Sequence, residues 1–147
     1  MSCMIYLKLT EHLLNGQDKI TAYQDTRTEI KQLWDEMNFS PLERIHFERV
    51  VQNDIREVNK ESIMSGGYVI ESLEASLWSF LNTDSFERAV LTAINFGHDT
   101  DTTGAITGGL AGLYYGYKEI PEFWVVSLAR MEDIFGLGEE LNKKYNA

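Results

Sequence analysis

The sequence predicts an all-α protein, and three observations carry that reading. Apolar residues recur at helical spacing, most clearly at Val69, Leu73, Leu77 and Phe80. Helix-start signatures punctuate the chain: Ser40-Pro41-Leu42-Glu43 and Asp84-Ser85-Phe86-Glu87 each set an oxygen-bearing cap residue ahead of a glutamate that can reach back to it. No stretch sustains two-residue alternation with β-branched residues, so a sheet is not expected.

The elements follow in order. Residues 1–14 and 18–37 read as the first two helices; Gly16 stops the first, and Ile30, Leu33, Trp34 and Met37 give the second an apolar face. Pro41 stands at a first helical position, where its missing N–H is no loss. The helix it opens is expected to pass through Ile45, Val50 and Val51 towards Asn59. The helix carrying Val69 to Phe80 breaks at Asn82-Thr83, and the next presents Phe86, Ala89, Val90, Ala93 and Ile94 before Gly97 ends it. Pro121 opens a further helix with Phe123, Trp124, Val126 and Leu128. No linker, charge block or repeat divides residues 1–147, so one domain is expected.

Composition narrows the function classes. With 13 basic and 23 acidic residues the net charge is −10, which argues against a nucleic-acid binder with its clustered basic surface. Cys3 is the only cysteine, so no internal disulfide can form, and such usage fits a reducing compartment. The N-terminal residues lack a signal-peptide pattern, and the small-residue stretch 104–115 is too short and glycine-rich to span a bilayer. A soluble, cytoplasmic protein without membrane association is expected.

Chemistry concentrates in Gly97-His98-Asp99-Thr100-Asp101-Thr102-Thr103-Gly104. Two carboxylates with hydroxyls between and after them form an oxygen cluster of the kind hard cations require. The cluster also stands at a helix start, where amide hydrogens and the macrodipole favour negative charge, so Asp99 or Asp101 as a plain helix cap is the competing reading. An EF-hand is excluded: counted from Asp99, the sixth position is Gly104 as required, but the twelfth is Leu110 where a bidentate glutamate must stand. A P-loop is excluded because no Gly-Lys-Ser/Thr follows. Downstream, Gly104, Gly108, Gly112 and Gly116 recur every fourth residue. Each interior glycine costs a helix about 1 kcal/mol relative to alanine, so close approach of a neighbouring helix is expected to offset them.

The 97–106 segment with Gly108-Gly109-Leu110-Ala111-Gly112 resembles the C-terminal signature of the ADP-ribosylglycohydrolase family. So does the upstream block Ser65-Gly66-Gly67-Tyr68-Val69-Ile70-Glu71-Ser72-Leu73-Glu74-Ala75-Ser76-Leu77-Trp78, and the spacing between the two also resembles the family's. The resemblance implies an orthogonal all-α multi-helix bundle, of which this chain matches the C-terminal half, and a binuclear Mg²⁺ centre that hydrolyses ADP-ribose from a modified protein side chain or a related conjugate. On that pattern Asp99 and Asp101 are catalytic, Asp99, Asp101 and Thr102 are metal ligands, and Tyr68, Gly97 and His98 are candidates for substrate binding.

His98 departs from the small or acidic residue usual in the family; a surface or packed histidine is its other reading. For Tyr68 the other reading is a ring capping the apolar helix that follows. The family's N-terminal half supplies a Thr-Asp-Asp-Thr motif, and this sequence contains none. The implied metal site is therefore incomplete on this chain, which is expected to be inactive alone and to meet a complementary N-terminal half or another copy of itself. The alternative function is a non-catalytic module that binds ADP-ribose or a protein.

Overall fold

The computed structural model describes residues 1–145, and among them every regular element is helical. Helix α1 (Ser2–Leu14) buries Ile5, Leu9 and Leu13, one residue per turn. It packs on α2 (Lys19–Glu36), whose Ala22, Tyr23, Thr26, Ile30 and Trp34 face it and the core. Gly16, at φ 80°, makes the turn between them, and Asp18 caps α2 by accepting the amides of Ile20 and Thr21.

The helix expected to run on from Pro41 is not continuous. Only α3 (Pro41–Arg44) is α-helical; a 3₁₀ turn at Ile45–Phe47 and a π turn at Glu48–Gln52 follow, and Asn53 is extended. Val50 and Val51 are buried as expected, with Phe47 and Ile55 beside them, whereas Ile45 is exposed, and the carbonyls that would continue the helix are claimed from α2. The Tyr23 hydroxyl donates to Val50 O at 2.6 Å, and Arg27 donates to Val51 O at 3.2 Å and Gln52 O at 3.0 Å. Tertiary donors thus satisfy the backbone where a longer helix would have satisfied itself. The expected side-chain cap at Ser40 is not made, although Pro41 does occupy the first turn.

Helix α4 (Val69–Leu81) forms the centre of the bundle, burying residues around most of its circumference, Ile70, Leu73, Ala75, Leu77 and Phe80 among them. Lys19 closes its C-terminal end: the ammonium donates to Phe80 O at 3.0 Å, to the Thr83 carbonyl and to the Tyr115 hydroxyl, beside the rings of Phe80, Tyr114 and Tyr115. Burial there lowers the lysine's pKa. Helix α5 (Phe86–Ile94) is capped by Ser85, whose hydroxyl accepts Arg88 N at 3.2 Å; Asp84 pairs instead with the Arg88 guanidinium, so the cap lies one residue later than the motif suggests.

Helix α6 (Thr100–Tyr115) packs against α5 and α4, with a further contact to α1. Its glycines are not equivalent. A β-carbon on Gly109 would lie 2.5 Å from the Tyr6 hydroxyl, and one on Gly104 3.0 Å from an Ile94 methyl, whereas at Gly108 and Gly112 the nearest atoms stand at 3.9 and 3.7 Å. Close approach therefore accounts for Gly104, towards α5, and for Gly109, which lies outside the every-fourth series, towards α1; the expectation is not met at Gly108 and Gly112. Beyond Gly116, α7 (Glu122–Val126) stops before Leu128, and its Trp124 meets Phe86 edge-on at 6.1 Å. A final helix not anticipated from the sequence, α8 (Met131–Tyr145), buries none of its side chains and touches the bundle through Phe135 against Tyr117. No helix of the described residues is long and apolar enough to cross a membrane.

Candidate metal centre

The sequence of the α5–α6 junction dictates its sharp turn. Gly97 and His98 are consecutive left-handed residues, at φ 82° and 56°, and they turn the chain so that Asp99 enters α6 as its cap residue. Glycine adopts that conformation freely; for histidine it is strained. The Asp99 backbone starts the helix, its carbonyl accepting Thr103 N at 3.2 Å and the Thr103 hydroxyl at 2.8 Å.

The Asp99 side chain does not cap. No amide of the first turn donates to its carboxylate, which removes the plain-cap reading for this residue. The carboxylate instead points towards the 65–67 segment, where its Oδ2 stands 3.3 Å from the point a β-carbon on Gly67 would occupy. Asp101 and Thr102 follow on the exposed first turn of α6. The Asp101 carboxyl is held below the ordinary carboxylate range, first by hydrogen bonding with the Asp99 side chain and then by the backbone amides of Thr102 and Asp101. Two acidic side chains thus share one corner of the molecule at the positive end of a helix.

A second loop brackets this one. Ser65 is buried at 1% exposure, and its hydroxyl donates to Gly97 O at 2.9 Å while its carbonyl accepts Asp99 N at 3.0 Å. Gly66 is fastened to α4 on both sides: its amide donates to Glu71 Oε2 at 3.1 Å and its carbonyl accepts the Ser72 hydroxyl at 3.1 Å. Further back, Arg49 donates to Ser62 O at 3.1 Å and pairs at 3.0 Å with Glu74, which lies almost buried inside α4. Burial pushes the Glu74 carboxyl up, against the opposing pull of Arg49. Neither Ser65 nor Glu74 is singled out by sequence reasoning. Glu74 carries a signal there, since it shares the apolar face of Ile70, Leu77 and Leu81; Ser65 carries none.

The remaining candidates fall around this corner. Tyr68 follows the bracket directly and is 54% exposed, so its ring does not close the apolar helix after it; its carbonyl does, by accepting Ser72 N at 3.0 Å. The ring borders an open groove of about 460 Å³ with Phe39, Glu43 and His46. Gly97 offers its carbonyl to Ser65, and His98 is exposed at the turn. The single acidic residues elsewhere have structural duties: Asp18 caps α2, Asp25 accepts from Gln17, Asp35 pairs with Arg44, and Asp54 with Arg56.

The donor set suits a hard divalent cation in kind and falls short of one in number. Asp99, Asp101 and Thr102 offer oxygen ligands on adjoining positions of one turn, whereas Mg²⁺ takes six, several of them waters. Among the described residues no group of three or more His, Cys, Asp or Glu forms a metal cage. The residues fit one side of such a site.

The chain matches the ADP-ribosylglycohydrolase family over residues 1–147. It is 44% identical over 88 residues to ADP-ribosylarginine hydrolase Tri1 of Serratia proteamaculans (strain 568), an alignment covering 60% of this chain and 24% of that protein. It is 38% identical over 64 residues to the ADP-ribosyl-[dinitrogen reductase] glycohydrolase of Rhodospirillum rubrum, covering 44% of this chain and 22% of the relative. With ADP-ribosylhydrolase ARH3 of Homo sapiens the identity is 28% over 107 residues, covering 63% and 30%. The chain thus spans less than a third of each of these curated relatives. An all-helical bundle and a family match over residues 1–147 together make this chain a member of the ADP-ribosylglycohydrolase family.

Proposed function

We propose that this chain contributes one side of a Mg²⁺-dependent centre that hydrolyses ADP-ribose from a modified protein side chain. The observation that carries the reading is the Asp99 carboxylate, which starts a helix without capping it and stands beside Asp101 and Thr102. The similarity to an ADP-ribosylarginine hydrolase and to an ADP-ribosyl-[dinitrogen reductase] glycohydrolase supports the substrate class.

In this reading Asp99 and Asp101 hold the cations, and the Thr102 hydroxyl adds a neutral ligand without further negative charge. Bound Mg²⁺ would supply Lewis acidity and a more acidic coordinated water. Cleavage of a ribosyl bond develops positive character at the anomeric carbon; the two aspartates serve that step by holding the cations, which offset their charge. Tyr68, Gly97 and His98 border the space where the ribose and its substituents would lie. The ligand count requires oxygen donors beyond Asp99, Asp101 and Thr102, brought by a complementary segment or polypeptide.

The test is reconstitution. Mixed with a polypeptide corresponding to the N-terminal half of a relative, the chain is expected to release ADP-ribose from ADP-ribosylarginine only with Mg²⁺ present, and Asp101→Ala is expected to abolish release. The incomplete donor set favours one other reading, a non-catalytic module that binds ADP-ribose. Calorimetric binding of ADP-ribose without turnover in any reconstituted mixture would select that module instead.

A further inference from the structure

We infer that the 65–67 strap is the positioning element for the Asp99 carboxylate, with Ser65 fixing the loop that carries it and Gly67 leaving the space it occupies. The inference rests on the cation-binding reading above and assigns roles that reading does not contain.

Ser65 contacts both ends of the turn. Its hydroxyl holds Gly97 O and its carbonyl holds Asp99 N, so the left-handed pair between them is clamped from a single buried residue 32 positions away in sequence. The strap is rigid in its own right, since Gly66 is tied through its amide to Glu71 and through its carbonyl to Ser72. A β-carbon on Gly66 would stand 2.5 Å from Glu71 Oε2, so a side chain there would displace the carboxylate that holds the Gly66 amide. Gly67 is exposed and its backbone is not left-handed, so neither core packing nor conformation asks for glycine there. What a side chain would meet is Asp99 Oδ2 at 3.3 Å. A metal-ligating carboxylate must keep its orientation to within a few tenths of an ångström, and groups that orient ligands without touching the metal commonly change affinity by about 10- to 100-fold when altered.

Gly67→Ala separates positioning from folding, because it adds one methyl group at an exposed site of ordinary backbone geometry. The probe is Mn²⁺ alone, titrated into the intact chain, with paramagnetic broadening of the 97–103 backbone amides read by NMR. The wild-type chain is expected to show local broadening that Asp101→Ala removes. Gly67→Ala is expected to raise the Mn²⁺ concentration for half-broadening about tenfold while leaving the thermal unfolding midpoint where it was. Ser65→Ala is expected to weaken Mn²⁺ binding likewise, with a lowered unfolding midpoint because a buried hydrogen bond is lost, and Ser65→Thr to restore the hydroxyl and the affinity. Wild-type affinity in both Gly67→Ala and Ser65→Ala overturns the positioning role while the cation site stands. Absence of Asp101-dependent broadening in the wild-type chain overturns the cation reading, and the strap's role with it.

Discussion

The Tyr23 hydroxyl donates a 2.6 Å hydrogen bond to the Val50 carbonyl inside the core, across the break that replaces a longer third helix. The same oxygen accepts Ile55 N at 3.2 Å, so one phenol satisfies both sides of the irregular segment. Tyr23→Phe leaves a buried carbonyl and a buried amide unpaired and is expected to destabilise the fold by about 2–3 kcal/mol. Burial also pushes this hydroxyl from 10.0 up to about 12. A raised folded-state pKa means that the stabilisation is complete below the unfolded value and is lost as pH rises through the folded one. Between about pH 10 and 12 the wild-type protein therefore loses this component, and the penalty of Tyr23→Phe shrinks. Urea unfolding of both proteins at neutral and at alkaline pH checks it; a penalty that stays constant into that window would show that Tyr23 does not titrate as described.

The glycines of α6 divide by what faces them, and substitution should sort them. Gly108→Ala and Gly112→Ala meet only ordinary contacts, at 3.9 and 3.7 Å. Each is expected to stabilise by about 0.5–1 kcal/mol through helix propensity. Gly109→Ala drives a methyl to within 2.5 Å of the Tyr6 hydroxyl, displacing its 3.3 Å bond to Ile106 O. A net loss of about 1 kcal/mol is expected there. With Tyr6→Phe the offending oxygen is gone and the next ring atom stands at 3.9 Å, so Gly109→Ala should become stabilising in that background. Thermal unfolding of the four proteins of this cycle decides the matter, and additive effects would refute the contact.

What the sequence could and could not reveal follows from the range of the interactions involved. Helix α4 is legible because Val69, Leu73, Leu77 and Phe80 repeat along one stretch, and the α5–α6 turn is legible because Gly97 and the acidic residues after it are neighbours. The 45–59 segment carries an equally helical pattern and still breaks, because the donors that end it, Tyr23 and Arg27, belong to another helix. Helix α8 has apolar residues at helical spacing, Ile134, Leu137 and Leu141, but interrupts them with Gly136 and Gly138, which masks the signal. The same division holds at the site. Asp99, Asp101 and Thr102 stand out as clustered oxygens, whereas Ser65 earns its place only through contacts made after α4 and α6 have packed.

His98 brings the local and the functional constraints into conflict. Its backbone lies at φ 56°, a region that disfavours a side chain by about 1–2 kcal/mol. His98→Gly relieves that strain and gives back part of the gain through a more flexible unfolded chain, for a net stabilisation of about 0.5–1 kcal/mol. His98→Ala keeps a β-carbon and so keeps the strain; it is expected to gain nothing. The contrast isolates backbone conformation from the imidazole, since both variants lose the ring. If the ring also borders bound substrate, both variants should lose ADP-ribose affinity equally while only the glycine variant gains stability. Differential scanning calorimetry beside ADP-ribose titration tests the two effects separately. Equal stability of the glycine and alanine variants would mean that the turn does not hold residue 98 in the left-handed region.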